Sequence, residues 1–375
     1  MGDATATGAQ GRLTIDLRAL RANWRTLADR ARPAQCAAVV KADAYGLGAA
    51  AVAPALWREG ARTFFVALPS EALALRAILP AEATVYVLNG LLPGDETAMA
   101  RIGARPVLNS LDQVRAWSSF ARALGRRLPA AIQVDSGMAR LGLSPAEVDA
   151  LAADPAPLAD FEVALVMSHL ACADERRHPA NAAQLASFRA LASKLPQAPR
   201  SLANSAGIFL GAEFAFDLVR PGVALYGGDP SDDPAAHMAP VVTLEARIAQ
   251  VRDVPAGTAV GYGHSRVATR PTRLVVAGIG YADGWPRRLG EAGGAAAFRG
   301  AILPIFGRVS MDGMILDATG MGGRGPRVGD FVELIGPSRP LGEVARAAGT
   351  IPYEILVALG RRFERAYLDD MEVAR

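Results

Sequence analysis

Apolar residues recur through the first two thirds of the chain in short runs, most of them closed by polar residues. The runs are CAAVVKA (36–42), TFFVAL (63–68), TVYVLN (84–89), RPVLNS (105–110), AAIQVDSG (130–137), VALVMSHL (163–170), RSLANS (200–205) and FDLVRPG (216–222). They are continuous, not alternating, as strands covered on both faces should be. Between most of them lie Ala- and Leu-rich stretches of helical period, such as SLDQVRAWSSFARAL and NAAQLASFRALASKL. SLDQ fits a helix start, with Ser110 as N-cap and Gln113 at the capping-box position. Eight alternations of strand and helix predict an α/β protein with an N-terminal (β/α)8 TIM-type barrel. LTIDLRALRANWRTLADRA, ahead of the first run, reads as a lead-in strand and helix.

YGGDPSDDPAAHMAP (226–240) breaks the pattern with Gly, Pro and Asp and reads as a linker. Beyond it, VVTLEARIAQVRDVPAGTAVGYG, RLVVAGIGYADG and RVGDFVELIG predict short strands joined by tight glycine turns. The expected organisation is a loose tail over 1–10, a barrel over 11–237 and a β-rich domain over 238–375, closed by one late helix near 353–365.

Composition narrows the function classes. Of 375 residues, 51% are hydrophobic and 21% charged, which is globular with ample core. The 40 basic and 37 acidic residues leave a net charge of +3, with no dense basic run interleaved with aromatics, so nucleic acid is not an expected partner. Cys36 and Cys172 lie in apolar surroundings and read as reduced thiols, not a disulfide framework. No apolar stretch approaches membrane-span length. The N-terminus lacks the charge and apolar segment of a secretory signal, and Ala6 stands where a myristoylation signal needs Ser or Thr. A cytoplasmic protein without membrane attachment is expected. The four histidines are scattered, and no metal site is expected.

In barrels of this type the active site lies at the C-terminal ends of the strands. Here the first run ends on Lys41, the fifth on Asp135 with Arg140 just beyond, the sixth on Ser168-His169, the seventh on Asn204-Ser205 and the eighth on Arg220-Pro221-Gly222. Taken singly, each has a plain reading: His169 as a structural histidine, Asn204 and Ser205 as a helix cap, Arg220 as a loop residue, Tyr262 as a turn aromatic. A shared rim favours function. Ser205 opening a helix, with backbone N–H groups at Gly222 and Val223, suits a phosphate. A phosphate cradle and a lysine on another strand suggest pyridoxal phosphate held as an imine on Lys41, with Arg220 the candidate to face the ring nitrogen.

AVVKADAYGLGA, VDSGMARLG, SHLACAD, SLANSAG, RPGVALYG, VGYG, GYADG, GRVSMDG and IPYEI together resemble the alanine racemases, from about residue 13 to about residue 360. The resemblance implies a pyridoxal-phosphate enzyme that interconverts L- and D-alanine, either supplying D-alanine for peptidoglycan or catabolising it. It implies Lys41 as the cofactor's anchor and one base, and Tyr262 as the other. Arg140 would contact the ring hydroxyl and the substrate carboxylate, and Arg220 the ring nitrogen. Tyr45, Ser205, Gly222, Val223 and Tyr353 would hold the phosphate, with Asn204 beside them. Met311 would offer its backbone N–H to the substrate carboxylate, and His169 would link Tyr262 and Arg220. In the family, Tyr262 and Met311 come from the other subunit of a homodimer. Gln133 stands where many members carry a carbamylated lysine; it can still hydrogen-bond Arg140 but cannot carry the carbamate. Ser310 replaces a cysteine of some members. Asp43, His264 and Arg266 have no assigned role. The alternatives are a racemase of broader specificity for serine, lysine or arginine, and a non-enzymatic carrier of the cofactor. The carrier is disfavoured by the second domain with Tyr262 and Met311.

Overall fold

The first strand, β1 (Gly11–Asp16), leads into a helix over Leu17–Ala31. The eight apolar runs then supply nine short strands, two from the first run, each ending before its run does because the last residues leave the ladder for a rim loop. They are β2 (Gln35–Cys36), β3 (Ala38–Val39), β4 (Thr63–Val66), β5 (Thr84–Val87), β6 (Arg105–Leu108), β7 (Pro129–Gln133), β8 (Glu162–Met167), β9 (Arg200–Ser201) and β10 (Leu218–Val219). The computed structural model describes residues 9–231 and 233–370. The chain folds as two units, one of Leu20–Leu225 with Asp229–Met238, the other of the remaining described residues.

In the first of these units, β3 to β9 form one parallel sheet in chain order. A parallel bridge between Asn204 and Arg220 continues it, and β10 pairs in parallel with β2. The sheet therefore curls back to its first strand, as a barrel requires. From the second residue onward β4, β5, β6 and β7 are buried without alternation, the signature of strands covered on both faces. Helices Ala49–Glu59, Pro69–Arg76, Glu96–Ile102, Leu111–Ala123, Pro145–Ala153 and Pro179–Ala192 follow successive strands. Ser110 caps its helix through Gln113 N, while the Gln113 side chain accepts from Asn109 N, not Ser110 N. No long helix follows β9; two 3-10 turns, Gly207–Phe209 and Ala212–Phe214, replace it. The Gly/Pro/Asp-rich stretch is tied down: Asp233 caps a turn at Pro234–Ala236 and pairs with Arg176 at 2.7 Å.

The second unit is built on β11 (Val242–Val254), which pairs antiparallel with β1. The sequence reading grouped β1 with the barrel. Its alternating burial instead suits a sheet with one open face, and β1 also pairs in parallel with β19 (Glu364–Leu368). Between them come β12 (Ala259–Val260), β13 (Arg266–Val267), β14 (Thr272–Ala277), β15 (Ala295–Phe298), β16 (Ala301–Pro304), β17 (Met314–Asp317) and β18 (Phe331–Ile335). The sheet runs β16-β15-β18-β11-β1-β19, with β14 on β11 and β17 on β14. The late helix expected at 353–365 is instead a helix over Pro352–Ala358, followed by β19. Another helix covers Leu341–Ala347. The tail expected over 1–10 lies mostly outside the described residues; the Gln10 carbonyl accepts from Arg247 N. No helix among the described residues is long and apolar enough to cross a membrane.

Candidate active site

Val40 N donates to the Phe65 carbonyl at 2.9 Å, so the first barrel strand is held to the residue before Lys41. The chain then does something its letters do not announce. Ala42, Asp43, Ala44 and Tyr45 all have φ between +53° and +57°, four consecutive left-handed non-glycine residues ahead of the left-handed Gly46. At about 1–2 kcal/mol per residue, the turn carries roughly 4–8 kcal/mol of unfavourable conformation. Its own ladder offsets part of that, with Ala44 N on Val40 O, Gly46 N on Ala42 O and Gly48 N on Asp43 O. Two carboxylates hold its flanks: Glu71 Oε1 accepts from Ala42 N at 2.6 Å, and Asp43 Oδ1 accepts from Ala49 N at 2.7 Å, opening the next helix. Lys41 is half-buried. Burial and the nearby Arg140 lower its pKa against the opposing pull of Glu71.

Arg140 is exposed on the loop after β7. That loop is wound around Asp135, whose Oδ1 collects the N–H groups of Gly137, Met138 and Ala139 at 2.8–3.2 Å. Burial pushes the Asp135 pKa up, but the three amides outweigh it and hold the carboxyl below its usual range. Ala139, immediately before Arg140, is left-handed at φ +54°. Gln133 donates to the Leu141 carbonyl at 3.1 Å. The bond that Gln133 could make to Arg140 is not among the described hydrogen bonds; this one fastens the loop's return.

Arg220 is buried, and every described partner is uncharged. Nη2 donates to the Ser168 carbonyl at 2.6 Å and lies 3.5 Å from His169 Nδ1, and Nη1 donates to Ser201 Oγ. Burial lowers its pKa to about 9, which still leaves it cationic near neutrality. For His169, burial first, then Arg220, Arg140 and Lys41, bring the pKa down to about 3, so the ring is neutral. Its carbonyl accepts from Gln184 Nε2 at 3.0 Å.

Ser205, Gly222, Val223 and Tyr45 are brought together, all buried. Ser205 Oγ accepts from Gly222 N at 2.8 Å and Ala224 N at 3.4 Å. It therefore caps the segment after β10 and not a helix of its own. Asn204 Oδ1 accepts from Gly207 N and shapes the preceding turn. A Cβ on Gly222 would lie 2.2 Å from the Tyr45 hydroxyl, so that position admits only glycine while Tyr45 stays in place. This donor set fits pyridoxal phosphate. It offers an amine at one strand end, the hydroxyls of Ser205 and Tyr45 beside a glycine without side-chain bulk for a phosphate, and a buried guanidinium with no carboxylate to neutralise it.

Tyr262, Met311 and Tyr353 belong to the other unit. Tyr262 is 70% exposed on a 3-10 turn, Met311 53% and Tyr353 38%. GYADG and SMDG pack against each other: Tyr281 N donates to Ser310 O and Ala282 N to Met311 O. A Cβ on Gly280 would stand 2.2 Å from Ser310 O, so this approach needs glycine. Asp283 accepts from Gly280 N, and Arg362 bridges Asp283 and Asp312 at 2.7 and 2.8 Å. The backbone that carries Met311 is thereby fixed. His264 closes the Tyr262 turn at φ +46°, and Arg266 pairs with Val260.

Sequence reasoning missed Glu71, Gln184 and Arg362. Glu71 alone had a signal: Pro69 followed by a glutamate at the third helical position marks a helix start.

Comparison with known proteins agrees with this layout. Residues 15–230 match the family model for the alanine racemase N-terminal domain, and 241–367 that for the alanine racemase C-terminal domain. A protein of Agrobacterium fabrum named as a catabolic alanine racemase is 54% identical, over 97% of this chain and 93% of its own. An alanine racemase of Brucella canis is 51% identical over 98% and 96%. Among solved structures, alanine racemase from Bartonella henselae with covalently bound pyridoxal phosphate superposes with a TM-score of 0.93 at 46% identity, covering 96% of this chain and all of that one. The biosynthetic alanine racemase of Pseudomonas aeruginosa gives 0.88 at 38% identity, with the same coverage. The chain belongs to the alanine racemase family of pyridoxal-phosphate-dependent isomerases.

Proposed function

We propose that this alanine racemase works by two bases, Lys41 and Tyr262, acting on opposite faces of the substrate α-carbon. The observation that carries the reading is Lys41 itself. It is a half-buried amine of lowered pKa at the end of the first barrel strand, facing the field of Arg140. Near its reference pKa a lysine is a poor base at neutral pH. Desolvation and a neighbouring cation enlarge the neutral, proton-accepting fraction. Bound pyridoxal phosphate supplies the electron sink for the α-carbanion. Arg220, held by uncharged acceptors, keeps its proton and offers only hydrogen bonds to a ring nitrogen. The sink is then weaker than one with an acidic partner, which limits side reactions. Arg140 would bind the substrate carboxylate, helped by the Met311 N–H. Tyr45, Ser205, Gly222, Val223, Asn204 and Tyr353 would secure the phosphate, and His169 would support the ring as a neutral imidazole.

Tyr262 and Met311 are strongly exposed side chains, and the backbone that carries Met311 is held by hydrogen bonds. Surfaces of that kind suit completion of the site by a second copy, and we infer a homodimer with shared active sites. Two free thiols accord with a cytoplasmic setting. D-Alanine supply to peptidoglycan and D-alanine catabolism are both compatible with the site.

Racemisation of a panel of L- and D-amino acids by the purified protein separates alanine specificity from breadth. Tyr262→Phe should slow α-proton exchange with deuterated solvent for one alanine enantiomer far more than for the other. Equal loss in both directions would count against two bases on opposite faces.

A further inference from the structure

Glu71 lies in the first turn of the helix Pro69–Arg76, outside every set of residues assigned above to cofactor or substrate. Its two oxygens do different things. Oε2 accepts from Ala67 N at 2.7 Å and Leu68 N at 3.1 Å, closing the start of its own helix. Oε1 reaches across to another strand end and accepts from Ala42 N at 2.6 Å. Ala42 is the residue after Lys41 and the first of the four left-handed residues. A capping box needs only the N-cap amide. The bond to Ala42 is additional, and it ties the exit of β3 to the exit of β4. A carboxylate satisfied by three amides from two segments is a stiff strap, since ionic hydrogen bonds are the strong ones.

We propose that Glu71 is a positioning residue for Lys41, fixing the entry to the left-handed turn so that the amine is held where the cofactor's aldehyde must meet it. The inference depends on the reading of Lys41 as the cofactor's anchor. It assigns no chemistry to Glu71 itself. The Ala42 N–H lies one peptide from the Lys41 α-carbon. Without the strap the turn can relax toward ordinary backbone regions, which for these residues are preferred. The lysine would then sample many directions in place of one.

The test is a binding cycle with pyridoxal phosphate titrated into apoenzyme. Wild type, Glu71→Ala and Glu71→Gln are each measured with Lys41 present and in a Lys41→Ala background. Affinity is followed by equilibrium dialysis and the lysine-bound cofactor by its visible band. With Lys41 present, Glu71→Ala should weaken capture tenfold or more. Glu71→Gln, isosteric and a safeguard against misfolding, should fall between Ala and wild type. In the Lys41→Ala background the same substitutions should cost at least fivefold less, because the anchor they position is gone. Equal losses in the two backgrounds would show that Glu71 merely supports the phosphate cradle, and no loss in either would show that it does nothing for the site. Both overturn the proposal. A visible lysine-bound band persisting in Lys41→Ala would instead overturn the anchor assignment beneath it.

Discussion

Gly222→Ala is the most direct perturbation of the proposed cofactor cradle. Gly222 is not in the left-handed region, so alanine fits its backbone, and the effect is steric. The new Cβ would stand 2.2 Å from the Tyr45 hydroxyl oxygen and 3.0 Å from Cζ. Non-bonded heavy atoms settle near ~3.5 Å, so the hydroxyl must retreat by more than about 1 Å. Tyr45 is 5% exposed, and its own backbone is held in the left-handed turn, so it has little freedom to pivot. Overpacking of this kind costs about 1–3 kcal/mol, or roughly 5- to 150-fold in an equilibrium constant. If Tyr45 holds the phosphate, that loss appears in pyridoxal phosphate binding to apoenzyme, measured by dialysis. Tyr45→Phe removes the atom at 2.2 Å and leaves the one at 3.0 Å. In that background Gly222→Ala should cost no more than about threefold, the remainder of the same overpacking range. Wild-type affinity for Gly222→Ala, or an equal penalty with Phe at 45, would refute the steric account.

Two further perturbations probe the same barrel unit. His169 has a folded pKa near 3 against an ordinary 6.5, so below pH 6.5 the unfolded chain takes up a proton that the folded chain refuses. Its contribution to stability is complete above 6.5 and is lost as pH falls toward 3, with a slope approaching about 1.4 kcal/mol per pH unit; His169→Gln should flatten unfolding midpoints measured between about pH 4 and 6, and an unaltered slope would sink the argument. Ala42→Gly should stabilise the folded chain by about 1 kcal/mol in thermal unfolding, since glycine adopts the left-handed region at no steric cost. A drop in melting temperature would show that the turn is not held against the preference of its residues.

The barrel was legible because its strands are buried on both faces and so leave unbroken apolar runs. The candidate rim could be proposed because several of these runs end on residues a core does not need: Lys41, His169, Arg220. What stayed hidden has a common physical cause. Ala-Asp-Ala-Tyr contains good helix formers and no glycine, and nothing in its composition signals positive φ. The helix expected after β9 failed for a related reason, since Ser205 Oγ serves the amides at 222 and 224 and not those that follow it. β1 looked like a barrel lead-in because it precedes the first barrel strand in the chain. Its alternation of buried and half-buried residues, read as a period of two, would have assigned it to a one-faced sheet.

The motifs that drew the functional reading turn out to carry two kinds of residue with different work. Lys41, Arg140 and Tyr262 are the proposed reactive or binding side chains, and each adjoins backbone of positive φ: Ala42, Ala139, and the pair Gly261 and Gly263. Glu71 and Asp135 collect amides around the first two, and Asp283 with Arg362 and Asp312 fastens the segment that presents Met311. Asp135 in particular looked like one more polar group at the rim, yet its oxygens are occupied by the amides of its own loop. An acidic residue beside a catalytic candidate is thus no evidence of acid–base chemistry until its lone pairs are counted. Strained backbone concentrates at functional sites where surrounding contacts over-determine it. Here those contacts are mainly carboxylates taking N–H groups. In the proposed site the strand delivers the amine to the rim, and the left-handed turn with its carboxylate clamps sets where the amine is held.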